Sequence, residues 1–201
     1  MCGIAGMLDA ASAFDTLQAV KMGHHMAAAM RHRGPDGGGV FVDPTHRALL
    51  AHRRLAVVDL TPAGAQPMLS RSGRTAIVLN GEIYNFRELR ARLAAAIGIL
   101  HWRSGSDTEV LVEAIEALGL EKVLPMSAGM FAFAVLDRTS GRLTLARDRV
   151  GEKPLYFRFT ASRILFASDA DPIVAASGRP EIDVPALRDL LTYGAVQGPR
   201  C

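Results

Sequence analysis

Cysteine is almost missing from this 201-residue chain: the two present, Cys2 and Cys201, stand at opposite ends. Their scarcity excludes a disulfide framework and points to a reducing compartment, the cytoplasm. An excess of one charge is also missing, since 23 Lys and Arg face 20 Asp and Glu for a net +3. The arginines are scattered, whereas a nucleic-acid partner calls for a basic stripe or patch, so none is expected. The nearest approach to a cluster, Arg31-His32-Arg33 with Arg53-Arg54, lies among Gly, Pro and apolar residues and reads as turn or site. No apolar run reaches the roughly 18 residues that would suggest a bilayer span, and the first residues lack the n-region and h-region of a secretory signal. The six histidines show no metal-ligand spacing such as H-E-x-x-H. Membrane and metal are therefore not expected.

What is present is apolar: 49% hydrophobic residues suffice for a buried core. Strand-length apolar runs bounded by turn residues recur at Gly3–Leu8, Gly39–Val42, Leu49–Ala51, Leu55–Val58, Thr75–Leu79, Met130–Leu136, Leu143–Ala146, Leu155–Phe159 and Ile164–Ala167. Helical spacing is rarer. Leu17, Val20, Met26, Ala27 and Met30 suggest a helix between Asp15 and Arg33, stopped by Gly34-Pro35-Asp36-Gly37. A second helix starts at Asn85, which can cap it in concert with Glu88, and presents Leu89, Leu93 and Ile97. A third follows a cap at Asp107 and runs Thr108–Leu118 to Gly119, with Leu111, Ala114, Ile115 and Leu118 inward. Asp183 caps a last helix through Leu191. Grouped strands with interposed helices predict an α+β fold, and the turn at 137–142 predicts a hairpin and hence antiparallel pairing. The Pro- and Gly-bearing stretch Ser168–Pro185 is the softest boundary.

The chemistry begins at Cys2. Aminopeptidases remove Met1 when the second residue is small, so the mature chain is expected to start with a thiol and a free α-amine on one residue. Their ordinary pKa values, about 8.5 and about 7.7 to 8.0, both lie near neutrality, so the amine can serve as general base and acid for its own side chain. A small hydrophobe at a fraying end is the plain alternative. Against it, Gly3 and Gly6 permit close backbone approach and Ile4-Ala5 can tie the end into a sheet. Asn80-Gly81 reads equally as a tight hairpin turn or as a side-chain amide and an unshielded N–H that hold an oxyanion. Arg53 reads as surface. Arg54 can bind a carboxylate bidentately, and Asp107, beyond its capping role, can hold an ammonium. One fixed cation and one fixed anion suit an α-amino acid.

The stretches "MCGIAGML", "RHRGPDGGG", "AHRRLAVVDLTPAGAQPM", "VLNGEIYNFRELR", "GSDTEVL", "MFAFAVLD", "LARDRVGEKPLYF" and "LLTYGAVQGPR" together resemble the glutaminase domain of the class II glutamine amidotransferases. Within these, the asparagine synthetase (glutamine-hydrolysing) branch is the nearest likeness. The resemblance implies an α+β fold of the N-terminal nucleophile hydrolase type, a four-layer α/β/β/α sandwich with mainly antiparallel sheets. It implies that Cys2 attacks the side-chain amide of glutamine, with Asn80 and Gly81 as the oxyanion hole. Arg54 would meet the glutamine carboxylate, Asp107 and Glu82 its amino group, and the backbone of Leu55, Ala56, Val57 and Val58 would line the pocket. The Arg33–Asp36 loop is implied to be a closing element.

No cofactor is implied for glutamine hydrolysis. ATP and Mg belong to a synthetase domain that follows in full asparagine synthetases and carries an S-G-G-x-D-S loop, which this sequence lacks. Residues 1–185 are expected to form the amidotransferase domain and 186–201 to begin a linker or helix toward that synthetase domain. Because "YGAVQGPRC" halts inside a family motif, truncation is expected over a stand-alone subunit. The candidate partners are L-glutamine, a synthetase domain in cis or in trans, and a second copy of the chain. Three rival readings stand beside this one: a non-catalytic module that senses glutamine or binds a partner, an amidotransferase serving another acceptor, and an N-terminal cysteine acylase acting on a different amide.

Overall fold

Residues of alternating side, small on one and larger on the other, recur in the central strands and dictate a sandwich. The computed structural model describes residues 1–10, 14–98, 101–179 and 181–196. Among these, the elements in chain order are β1 (Gly3–Asp9), α1 (Thr16–Ala29), β2 (Gly37–Asp43), β3 (Ala48–Arg54), β4 (Met68–Leu69) and β5 (Thr75–Ile83). They continue with α2 (Phe86–Ile97), α3 (Asp107–Leu118), α4 (Leu120–Met126), β6 (Gly129–Asp137), β7 (Arg142–Arg147), β8 (Tyr156–Phe159), β9 (Arg163–Ala167), α5 (Ala170–Ser177) and α6 (Val184–Tyr193). One sheet has the order β2-β3-β1-β9-β8 and the other β4-β5-β6-β7, and every pairing is antiparallel.

Between the sheets lies a buried layer of Ile4, Ala48, Leu50, Ala76, Val78, Ala132, Ala134, Leu136 and Phe166. The four alanines keep that layer thin. The strand period of two sends the alternate residues outward. Ala5, Met7, Leu49 and Ala51 meet Met26, Ala27 and Met30 of the α1 region and Ile173 of α5. Ile77, Leu79, Phe131, Phe133 and Val135 meet Leu89 and Leu93 of α2, Leu111 and Ile115 of α3 and Val123 of α4. The result is the expected α/β/β/α sandwich with antiparallel sheets.

Several local expectations change. The Leu55–Val58 run is not a strand but a loop, because β3 ends at Arg54 and no strand among the described residues pairs with 55–58. Asn80-Gly81 makes no turn: both residues lie inside β5, opposite Ala132 and Phe131. The side chain of Asn85 does not cap α2; it donates to the Met126 carbonyl at 2.8 Å and accepts from Ala128 N–H at 2.9 Å. Ser106 caps α3, accepting from Thr108 N–H at 3.1 Å, and Asp107 is the first helical residue. Leu17 faces solvent while Ala19, Gly23, Met26 and Ala27 are buried, so the inner face of α1 is made of smaller residues than its leucine suggests. The stretch read as a boundary contains α5, capped by Asp169. The expected limit at 185/186 falls within the first turn of α6, a helix that buries none of its residues. Cys201 and the last residues of "YGAVQGPRC" lie outside the described residues.

His52 shares the inner face of β3 with Ala48 and Leu50 and is fully buried. Neither ring nitrogen finds a hydrogen-bond partner among the described residues. Burial pushes its pKa down to about 3, the neighbouring Leu79 backbone opposing this from outside hydrogen-bond geometry. A depressed histidine stabilises the fold above its unfolded value of about 6.5, and that contribution fades as pH falls toward 3, at about 1.4 kcal/mol per pH unit. Urea titrations at pH 7 and pH 5 should therefore show the wild-type chain losing about 2 kcal/mol more than His52→Leu over that interval.

Candidate active site

Cys2 immediately precedes β1, the middle strand of the five-stranded sheet, so the chain begins in the interior and not at an edge. Gly6 makes this possible, since a Cβ there would lie 2.3 Å from the Leu49 carbonyl oxygen of the neighbouring strand. The start of β1 is pinned from three directions. Ile4 N–H donates to Ser168 Oγ at 3.1 Å, and Ser168 N–H donates to the Ile4 carbonyl at 2.8 Å. Arg33 Nε donates to the Cys2 carbonyl at 3.2 Å. The Cys2 thiol sits against the Leu55 backbone, 3.5 Å from its carbonyl oxygen and 3.4 Å from its N–H. Burial pushes the thiol pKa up, further than the Leu55 backbone, the terminal ammonium and Arg54 pull it down. At neutral pH the sulfur is stored as a thiol, and a base must take its proton before it can attack.

Beside the thiol opens a cavity of about 190 Å³, and the expected site residues all line it: Cys2, Arg54, Leu55, Ala56, Val57, Val58, Asn80, Gly81, Glu82 and Asp107 appear together with Met1 and Lys153. Asn80 is fully buried, its Nδ2 donating to Ser168 Oγ at 3.3 Å and its Oδ1 without a partner among the described residues. The backbone of β5 explains Gly81. Phe131, opposite Gly81, donates its N–H to Asp148 Oδ2 at 3.2 Å and accepts at its carbonyl from Asp148 N–H at 2.7 Å, so it bonds away from β5. On the open edge of β5, Leu79 N–H is taken by Gln66 Oε1 at 2.6 Å and Ile83 N–H by Asp107 Oδ2 at 2.8 Å. The period of two places the Gly81 N–H between them, on that edge and facing the cavity. Its φ is 150°, and a Cβ would meet the Met130 carbonyl oxygen at 2.1 Å.

The charged groups are set by loops. Arg54 donates to the Thr61 carbonyl at 2.9 Å and to the Asp59 carbonyl, which aligns its guanidinium along the cavity wall. Asp107 is 5% exposed, and burial pushes its carboxyl up despite the Ile83 and Thr108 hydrogen bonds. The loop Leu55–Val58 is braced by Asp36, whose Oδ2 accepts from Ala56 N–H at 2.9 Å and whose N–H donates to the Arg54 carbonyl at 3.0 Å. Arg53, read as a surface residue, donates through Nε to the Gly34 carbonyl at 2.8 Å. The Arg33–Asp36 segment thus touches both Cys2 and the loop beside it.

Sequence reasoning did not assign Ser168, Gln66 or Lys153 to this site. Each reaches it from a segment remote in sequence from Cys2, where no local period or spacing signals the contact.

A family model described as "Glutamine amidotransferase domain" matches residues 1–201. The chain belongs to this glutamine amidotransferase domain family, of the class II type. It is 36% identical over 159 residues to asparagine synthetase B [glutamine-hydrolyzing] of Escherichia coli, covering 79% of this chain and 27% of that protein. With asparagine synthetase [glutamine-hydrolyzing] 1 of Bacillus subtilis it is 33% identical over 199 residues, 99% of this chain and 30% of the relative. The chain therefore spans under a third of the length of these two relatives. Among solved structures, glutamine phosphoribosylpyrophosphate amidotransferase from B. subtilis superposes with a TM-score of 0.68 over 87% of this chain and 43% of its own, at 22% identity. That likeness establishes the shared N-terminal nucleophile hydrolase fold.

Gly81→Ala should cost about 3 kcal/mol in a denaturant titration, because overpacking and a positive φ act together. Gly105→Ala, whose Cβ would come no nearer than 3.8 Å to another residue, should cost under about 1 kcal/mol.

Proposed function

We propose that this chain is the glutamine-hydrolysing half of an asparagine synthetase-like enzyme. The observation that carries the reading is the meeting, in one cavity, of an N-terminal thiol, an edge N–H left over from sheet pairing, and fixed charges of both signs. After removal of Met1, the Cys2 α-amine takes the thiol proton as sulfur bonds to the side-chain carbonyl carbon of glutamine. Gly81 N–H and Asn80 Nδ2 receive the developing oxyanion. Collapse of the tetrahedral species breaks the carbon–nitrogen bond, the amine returns its proton to the departing nitrogen, and ammonia leaves a glutamyl thioester. Water then adds to the thioester carbonyl, giving its proton to the amine. The carbon–sulfur bond breaks, sulfur regains the proton and glutamate departs, so the sum is glutamine and water in, glutamate and ammonia out.

Arg54 binds the substrate carboxylate, and Asp107 with Glu82 binds its ammonium, while Leu55 to Val58 form the wall. The ammonia is used in a synthetase domain, in cis beyond residues 186–201 or in trans, where ATP and Mg activate aspartate as acceptor. The short share of the relatives that this chain covers supports that division, as do the exposed Val184, Leu187, Leu190 and Leu191 on α6. A reducing, cytoplasmic setting keeps the thiol free.

Purified chain with Met1 removed should release ammonia from glutamine, and Cys2→Ala should reduce that rate by at least about a thousandfold. Undiminished turnover in Cys2→Ala overturns the reading, as does failure of a diazoketone analogue of glutamine to alkylate Cys2. Asp107→Asn supplies an independent check. The ionised Asp107 carboxylate, whose pKa is raised by burial, costs the empty fold stability above the unfolded value near 3.9, so its removal should leave the melting temperature equal or higher at pH 7. The KM for glutamine should nevertheless rise about 10- to 100-fold through loss of the charged contact.

A further inference from the structure

Lys153 is a buried cation that faces sulfur and not an anion. It is 6% exposed and lines the same cavity as Cys2, Glu82 and Asp107. Among the described residues no carboxylate reaches it within ion-pair distance. The ammonium can donate three hydrogen bonds, yet its contact is a single weak acceptor, the Met1 thioether sulfur at 3.4 Å. Burying an ammonium against a thioether is unfavourable, so its placement asks for a cause. The backbone that carries it is held firmly. Asp148 accepts from Phe131, Val150, Glu152 and Lys153 N–H groups at 2.8 to 3.2 Å, and Arg147 Nε donates to the Lys153 carbonyl at 2.6 Å. Pro154 follows and fixes the chain direction.

We propose that Lys153 is a positioning residue for the N-terminal amine, holding it neutral so that it can act as the base. The proposal rests on the glutaminase reading. Hydrolysis of the Met1–Cys2 peptide bond removes the thioether that Lys153 touches and leaves a free amine on Cys2, in the cavity that both residues line. An ammonium disfavours a second positive charge in the cavity it lines, and the α-amine ordinarily titrates near 7.7 to 8.0. The α-amine is the one that yields. Arg33, from the loop after α1, and Arg54, at the end of β3, act in the same direction, while Glu82 on β5 and Asp107 on α3 oppose it. Bound glutamine would pair Arg54 with its carboxylate and the two acids with its ammonium. The Lys153 charge is then the uncompensated one at the moment the thiol proton must move.

The low cysteine count makes the amine observable. Chain carrying carbon-13 cysteine has two labelled residues, and with the Cys2 thiol capped as a methyl disulfide its Cα resonance follows the amine alone. Met1 removal is verified by intact mass. The wild-type amine should titrate below the ordinary range of about 7.7 to 8.0. Lys153→Gln should raise that midpoint by about one unit, and Lys153→Arg should restore it. With the thiol free, the acidic limb of kcat for ammonia release should move up in Lys153→Gln, lowering kcat about tenfold at pH 6.5 but not at pH 9, with KM unchanged. A wild-type amine titrating within or above the ordinary range overturns the proposal, without need of a variant that folds. So does an equal midpoint in wild type and Lys153→Gln. The titration involves no glutamine turnover, so a depressed amine in a chain that releases no ammonia would uphold Lys153 while removing the glutaminase reading.

Discussion

On the proposed reading Cys2 borrows its base from its own α-amine and has to be the first residue of the mature chain, and chain ends fray unless they are tied down. The fold answers that constraint by making the first strand the middle one. β1 pairs with β3 on one side and β9 on the other, so the residue ahead of it inherits the order of a five-stranded sheet. Ser168 closes the far side of Ile4, Arg33 holds the Cys2 carbonyl and Leu55 holds the thiol. Little else would keep a terminal thiol within reach of a second sheet.

That second sheet matters because Asn80 and Gly81 are on it. The thin alanine layer between the sheets lets the inner face of β5 approach the start of β1, and Ser168 accepts from both Ile4 N–H and Asn80 Nδ2. One hydroxyl therefore registers β1 to the Asn80 amide opposite it. Packing and polar positioning are one arrangement here: larger side chains in place of Ala48, Ala76, Ala132 or Ala134 would part the sheets and the site together.

The empty cavity carries charge at some cost. Burial raises both the Cys2 thiol and the Asp107 carboxyl, Asn80 Oδ1 lacks a partner among the described residues, and Lys153 faces sulfur. On the proposed reading the opposite charges of glutamine would meet Arg54 and Asp107 at once.

The position of Cys2, most of the strand runs, the hairpin at 137–142, the start of α1 at Asp15 and the end of α3 at Gly119 were legible in the sequence, because period, caps and turn residues are local properties; α1 itself stops at Ala29, before the expected Arg33. The sequence was ambiguous where two local rules compete. Asn80-Gly81 has the composition of a turn, yet β6 supplies partners along its length and keeps β5 straight. Leu55–Val58 has the composition of a strand, yet Asp36, the Arg54 carbonyl and the Cys2 thiol take its neighbourhood and hold it as a loop. Asp107 has the composition of a cap, yet Ser106 caps the helix and frees that carboxylate for Ile83. By itself the sequence determined which chemical groups exist and that a thiol stands at the second position. Tertiary structure alone decided which edge N–H stays free, which charges share a cavity and which lysine lines it with Cys2, because each depends on partners remote in sequence that no local period encodes.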